Sequence, residues 1–199
     1  MSTNENLKML RFAHLAHCSL GLLGVISLAA QAHDHHHHAP DGHSHNAPAH
    51  QHGVGHLDLV LEGNELVIEL QMPAEDLLGF EHAPRTPEQH AQVAALQNTL
   101  QQPERLFTLP AAAECRLTSV ELNSSLFTDT PQSAPEDQLQ HADIQAHYHF
   151  TCAAAQHLQQ LEVVLFESFP ASQRLLLQAI TPNGQYGDQL NATHNRVRL

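Results

Sequence analysis

Histidine is the residue type with most chemistry to offer in this chain: 19 of 199 residues, against 8 Lys plus Arg and no Trp. Nine of them, His33, His35, His36, His37, His38, His43, His45, His50 and His52, share one short tract, with His56 just beyond it. Neutral imidazole is a good ligand for zinc, copper and nickel, and a closed zinc site needs about four donors near 2 Å. A tract of this kind can close several interchangeable sets of four, so modest selectivity and an occupancy that follows metal supply are expected. An expression tag does not explain it, because the histidines are dispersed among Pro, Gly, Ala and Asn and a leader-like segment precedes them.

Further donors fall within regular sequence. His141 and Asp143 stand two residues apart on one face of an alternating run, about 6.5 to 7 Å along a strand, and His147 and His149 continue that face. A solvated polar face accounts equally well for those last two. Glu81-His82 sits just ahead of a helix signal, so His82 is a candidate that three-His-plus-carboxylate chemistry would use. His90 and His157 read as surface residues, and the pattern does not place His194.

Lys8 and Arg11 precede an apolar run from Phe12 to Ala30, and SLAAQA then puts Ala30 and Ala32 at the small-residue positions of a cleavage site. Residues 1–32 therefore read as a cleaved leader for export, leaving no membrane anchor. A retained span is the alternative, but a Gly/Ala/Ser-rich end suits it poorly. Cys18 follows His17 and precedes most of the apolar run, which does not suit lipidation. Cleavage after Ala32 would begin the chain His33-Asp34-His35. The free amine, two amide nitrogens and the His35 ring could then wrap a square-planar Cu2+ or Ni2+. A copper- or nickel-handling protein is thus the second reading, which competition titration separates from a zinc-binding one.

The whole chain carries a formal charge of −13, and the leader holds Lys8 and Arg11 against Glu5, so the exported part is more acidic still. That charge disfavours nucleic acid and anionic lipid and attracts cations. With Cys18 removed, Cys115 and Cys152 remain as an even pair, which in an exported protein reads as a disulfide. It would contribute on the order of 3 to 4 kcal/mol by the chain-entropy estimate. Two thiolate zinc ligands are the alternative, though no C-x-x-C spacing supports them.

The elements that must position these groups are legible in turn. Residues 33–55 lack bulky apolar side chains except Val54 and read as a disordered, His-rich arm. From His56 a single domain, 56–199, begins. Leu57, Leu59 and Leu61 alternate with His56, Asp58, Val60 and Glu62. After the Glu62-Gly63-Asn64-Glu65 break, Leu66, Ile68, Leu70 and Met72 share a face, which predicts a β-hairpin. Thr86, Pro87 and Gln89 give a capping-box start for an amphipathic helix over Pro87 to Gln101, with Val93, Leu96 and Leu100 on one face and Pro103 beyond its end. Cys115 to Leu122 alternates, and HADIQAHYHFTC turns Ala142, Ile144, Ala146, Tyr148 and Phe150 inward. Leu161 to Phe166 and Leu175 to Ile180 read as strands, with a turn at Pro182-Asn183-Gly184. The fold class is α+β: mostly antiparallel β sheet with one clear helix.

The string HGVGHLDLVLEGNELVIELQMPAEDLLGFEHAP from His52, together with HADIQAHYHFTC, its upstream Cys115, LEVVLFESFP and the late Gly184-Gln185, resembles the ZrgA family of zinc-regulated periplasmic zinc-binding proteins of Gram-negative bacteria. The likeness covers essentially all of the exported chain, and GFEHAP at Gly79 to Pro84, preceded by Pro73-Ala74, is its most specific element. It implies a periplasmic protein, made under zinc scarcity, that binds or buffers zinc beside an ABC-type uptake system, with that system's solute-binding protein as partner. It also implies that His82, His141 and Asp143 occupy matching positions and bind metal in the fold, and that the His-rich arm varies. His147 departs from the pattern, where an acidic or polar residue is expected. No catalysis is implied, and no H-E-x-x-H or comparable set occurs to hold a catalytic water, so the expectation is a binding protein and not an enzyme.

Overall fold

The alternating hairpin forms as its pattern requires. In the computed structural model, which describes residues 51–127 and 142–199, strand β1 (Val54–Glu62) turns through Gly63-Asn64 into β2 (Glu65–Pro73). Gly63 takes φ +61°, a backbone state that glycine adopts without strain. Leu57, Leu59, Leu66, Ile68, Leu70 and Met72 are buried on the inner face, and His56, Asp58 and Val67 are exposed on the outer one.

β1 begins two residues earlier than the pattern around His56 suggests, because Val54 and Gly55 are already paired and buried. A side chain at Gly55 would run into Met72 Sδ and come within 2.9 Å of the Gln71 carbonyl oxygen, so only glycine lets the strands approach there. The leader over 1–32, the tract from His33 to His50, and His141 lie outside the described residues.

After β2 the chain makes a short helix, α1 (Ala74–Leu78), and then α2 (Pro87–Leu100). Thr86 caps α2 by accepting the Gln89 N–H at 3.3 Å. The reciprocal bond shifts by one residue, since Gln89 Oε1 accepts from the Arg85 N–H at 2.8 Å. Val93, Leu96 and Leu100 face the core as the spacing predicts. At its C-terminal end the otherwise orphaned Leu100 carbonyl receives the Tyr148 hydroxyl at 2.8 Å, tying helix to sheet. Burial pushes the Tyr148 phenol up from its ordinary pKa, so it stays a neutral donor.

The rest is strand: β3 (Phe107–Thr108), β4 (Cys115–Asn123), β5 (Asp143–Cys152), β6 (Gln160–Val163), β7 (Arg174–Thr181), β8 (Gly184–Leu190) and β9 (Arg196–Arg198). One sheet runs β4-β5-β2-β1-β7-β8 and a second runs β3-β6-β9. Neighbours are antiparallel except β1 with β7, which makes the large sheet mixed. Residues of both sheets and of α2 join one core.

Two expectations change in detail. Over Leu161 to Phe166 the strand stops at Val163: the Val164 and Leu165 N–H groups both turn to the Leu106 carbonyl, and Leu165–Ser168 form a short helix, α3, that buries Leu165 and Phe166. A short apolar run reads alike for a buried strand and a buried helical turn. β4 is an edge strand with a bulge between Leu117 and Ser119, so its alternation leaves Leu117 exposed.

Candidate metal centre

Four of the described candidates, His52, His56, His82 and Asp143, gather toward one end of the large sheet, where β1, β5 and β7 begin and β2 finishes. His52 occupies the turn that enters β1. Gly53, with φ +79°, is held from both sides: its N–H donates to both Asp76 carboxylate oxygens at 2.8 Å, and its carbonyl accepts from the Gln173 and Arg174 N–H groups at 3.0 Å. Asp76 is buried at 5% exposure, and its carboxylate is met by the Gly53 N–H at the entrance to β1.

The fixed turn brings His52 Nε2 within 3.2 Å of Glu81 Oε2. Glu81 is a residue that the sequence offered only as the neighbour of His82. His82 follows it, its ring stacked on Phe80 at 5.3 Å and its Nδ1–H donating to the Ala83 carbonyl at 2.9 Å. That bond selects the tautomer whose Nε2 carries the lone pair, which is how backbone carbonyls orient metal-binding histidines.

Asp143 opens β5 opposite Pro73 and accepts the Gln71 amide at 3.0 Å. Gln71 pairs in register with His56, so His56, Gln71 and Asp143 follow one another across the exposed face. The structure therefore brings His52 to Glu81 directly, while His56 is the register partner of Gln71, whose amide donates to Asp143. Among the described residues no three His, Cys, Asp or Glu side chains stand close enough to hold a metal ion.

His147 and His149 project from the same outer face, half-exposed, with Glu69 at 3.7 Å and Glu65 at 3.0 Å. Each partner comes from the adjacent strand β2, and solvated pairs of this kind contribute little to stability. His90 and His157 are exposed. His194, which sequence spacing leaves unplaced, lies 2.8 Å from Asp188 beside β8. The hydrogen bond from His194, and then the Gln189 N–H, holds the Asp188 carboxyl below its ordinary range.

Cys115 and Cys152 are directly paired across β4 and β5 as a disulfide at the opposite end of the sheet. Their sulfurs are thus not thiolate ligands. No helix among the described residues is long and apolar enough to cross a membrane.

Compared with protein families, residues 49–199 match the one described as ZrgA family zinc uptake protein. No curated protein matches the chain.

Proposed function

Because the chain belongs to the ZrgA family of zinc uptake proteins, we propose that it is exported to the periplasm, captures zinc there, and acts as a chaperone or buffer for an ABC-type zinc importer, whose solute-binding protein receives the ion. The observation that carries this reading is the pairing of His52 with Glu81 where the His-rich tract enters the folded domain. The role is binding and not catalysis.

The physical support is ligand chemistry. His52 and Glu81 supply two donors, and His82, the next residue, has its lone pair directed to Nε2 but would have to close on them to serve as a third. A tetrahedral zinc shell needs about four. In this proposal His56, His141 and Asp143 supplement the sheet-end donors, and the histidines from His33 to His50 provide most of the capacity. An acidic exported surface raises the local concentration of the cation it collects.

Zinc binding to the chelator-free exported protein, measured by competition with a chromogenic chelator and by elemental analysis, tests the proposal. Deleting residues 33–50 is expected to remove most of the bound equivalents and leave at most one or two. In that shortened protein the pair His52→Ala and Glu81→Gln is expected to weaken what remains at least tenfold. A full zinc count after the deletion, or a full-length protein that retains no zinc, overturns the reading.

A further inference from the structure

The two edges of the large sheet are not alike. β4 is interrupted by its bulge between Leu117 and Ser119, and Thr118 Oγ1 donates to the His149 carbonyl there. Bulges are a recurrent way of keeping other chains from pairing with an edge. β8 has no such defence: its register with β7 runs unbroken from Leu190 opposite Leu175 to Gly184 opposite Thr181, it contains no Lys or Pro, and all its residues but Leu190 are exposed.

Beside β8 lies a groove of about 1200 Å3, walled on its far side by β9, itself the edge of the smaller sheet. The Tyr186 hydroxyl donates to the Arg198 carbonyl and Asn183 Nδ2 to the Leu199 carbonyl, so the two edges are held together across its floor. The groove's charge runs against that of the molecule. A chain of net charge −13 with only 8 Lys plus Arg places two of them, Arg196 and Arg198, here. Arg196 has Glu162 at 3.7 Å, while Arg198 has no carboxylate partner among the described residues. Asp188, the one acidic side chain in the lining, is engaged by His194, and the main-chain carboxylate of Leu199 is engaged by Asn183.

We propose that β8 is a docking edge for an extended, carboxylate-bearing segment of a partner protein, which adds to the sheet as a further strand and sets its acidic side chains against Arg198 and Arg196. Main-chain hydrogen bonds would supply affinity and the arginines orientation, the division of labour in strand addition. A second copy pairing its own β8 here would bring one acidic side chain, Asp188, which already bonds His194, and so offers the arginines little. The proposal is independent of the zinc reading, since none of its residues is a metal candidate there.

The full-length exported protein, labelled for NMR, is titrated with a blocked ten-residue peptide alternating Glu and Thr, and with its Lys-for-Glu counterpart. The acidic peptide is expected to bind, to slow exchange of alternate β8 amides, and to bind at least tenfold more weakly to Arg198→Glu, with zinc content unchanged. Absence of binding, equal binding of the Lys peptide, binding that leaves β8 exchange unaltered, or occupation of β8 by a second copy in sedimentation overturns it. Arg198→Ala, which removes charge without reversing it, is expected to fall between the parent and Arg198→Glu.

Discussion

Both carboxylate oxygens of Asp76 lie 2.8 Å from the backbone nitrogen of Gly53, 23 residues earlier in the chain. The bond pins the turn carrying His52 at the head of β1, so the last histidine of the tract occupies a defined place beside Glu81. Asp76→Ala leaves a buried N–H without its acceptor and is expected to cost about 1 to 3 kcal/mol. Denaturant unfolding measures the loss, and hydrogen exchange at Gly53 locates it. An unchanged Gly53 exchange rate in the variant would remove this turn from the account.

Zinc affinity is expected to fall steeply between pH 7.5 and pH 5.5. Protons and metal compete for the same ring nitrogen, and imidazole in model peptides titrates near 6.5, so acid withdraws ligands. Equal affinities at the two pH values would argue against histidine ligation.

Replacing both cysteines, Cys115→Ala with Cys152→Ala, is expected to destabilise the domain by about 2 to 4 kcal/mol, because the bond closes a loop of sequence separation 37. The thermal midpoint should drop while zinc stoichiometry stays the same. A loss of bound zinc at full folding would place metal chemistry at the wrong end of the sheet.

The Asp188 carboxyl, held below its ordinary range chiefly by the hydrogen bond from His194, lends stability that is present above the unfolded carboxyl pKa and lost as pH falls through the lower folded value. Both groups are largely solvated, so the effect on global stability is small and the local titration is the useful readout. In His194→Ala the Asp188 carboxyl, followed by NMR, is expected to titrate at a higher pH than in the parent protein. Identical titration curves would show that the pair does not form in solution.

Tyr148→Phe keeps the ring that meets Phe107 edge-on but removes the donor to the Leu100 carbonyl. A loss of about 0.5 to 1.5 kcal/mol is expected in denaturant unfolding. A neutral result would mean that water reaches the end of α2.

The hairpin of β1 and β2 and the inward face of β5 were legible because alternation is a local record of which side each residue buries. α2 announced itself through Thr86, Pro87 and Gln89, whose side-chain and ring geometry act within one turn. The Cys115 and Cys152 pairing followed from reading residues 1–32 as a leader, which leaves two cysteines. The abundance of imidazole likewise needs no fold to be read, while the kinship to zinc uptake proteins came from strings of the domain such as GFEHAP and HADIQAHYHFTC.

Tertiary structure alone decided which faces meet. Nothing local distinguishes β7 as a parallel neighbour of β1, or foretells that Arg196–Arg198 close a second sheet, since periodicity reports burial without naming the partner. Glu81 became part of the candidate site only because the chain after α1 folds back onto the turn before β1, placing it beside a histidine 29 residues away. A sequence fixes the chemistry of each side chain, but the distance between two of them belongs to the packing of the elements that carry them.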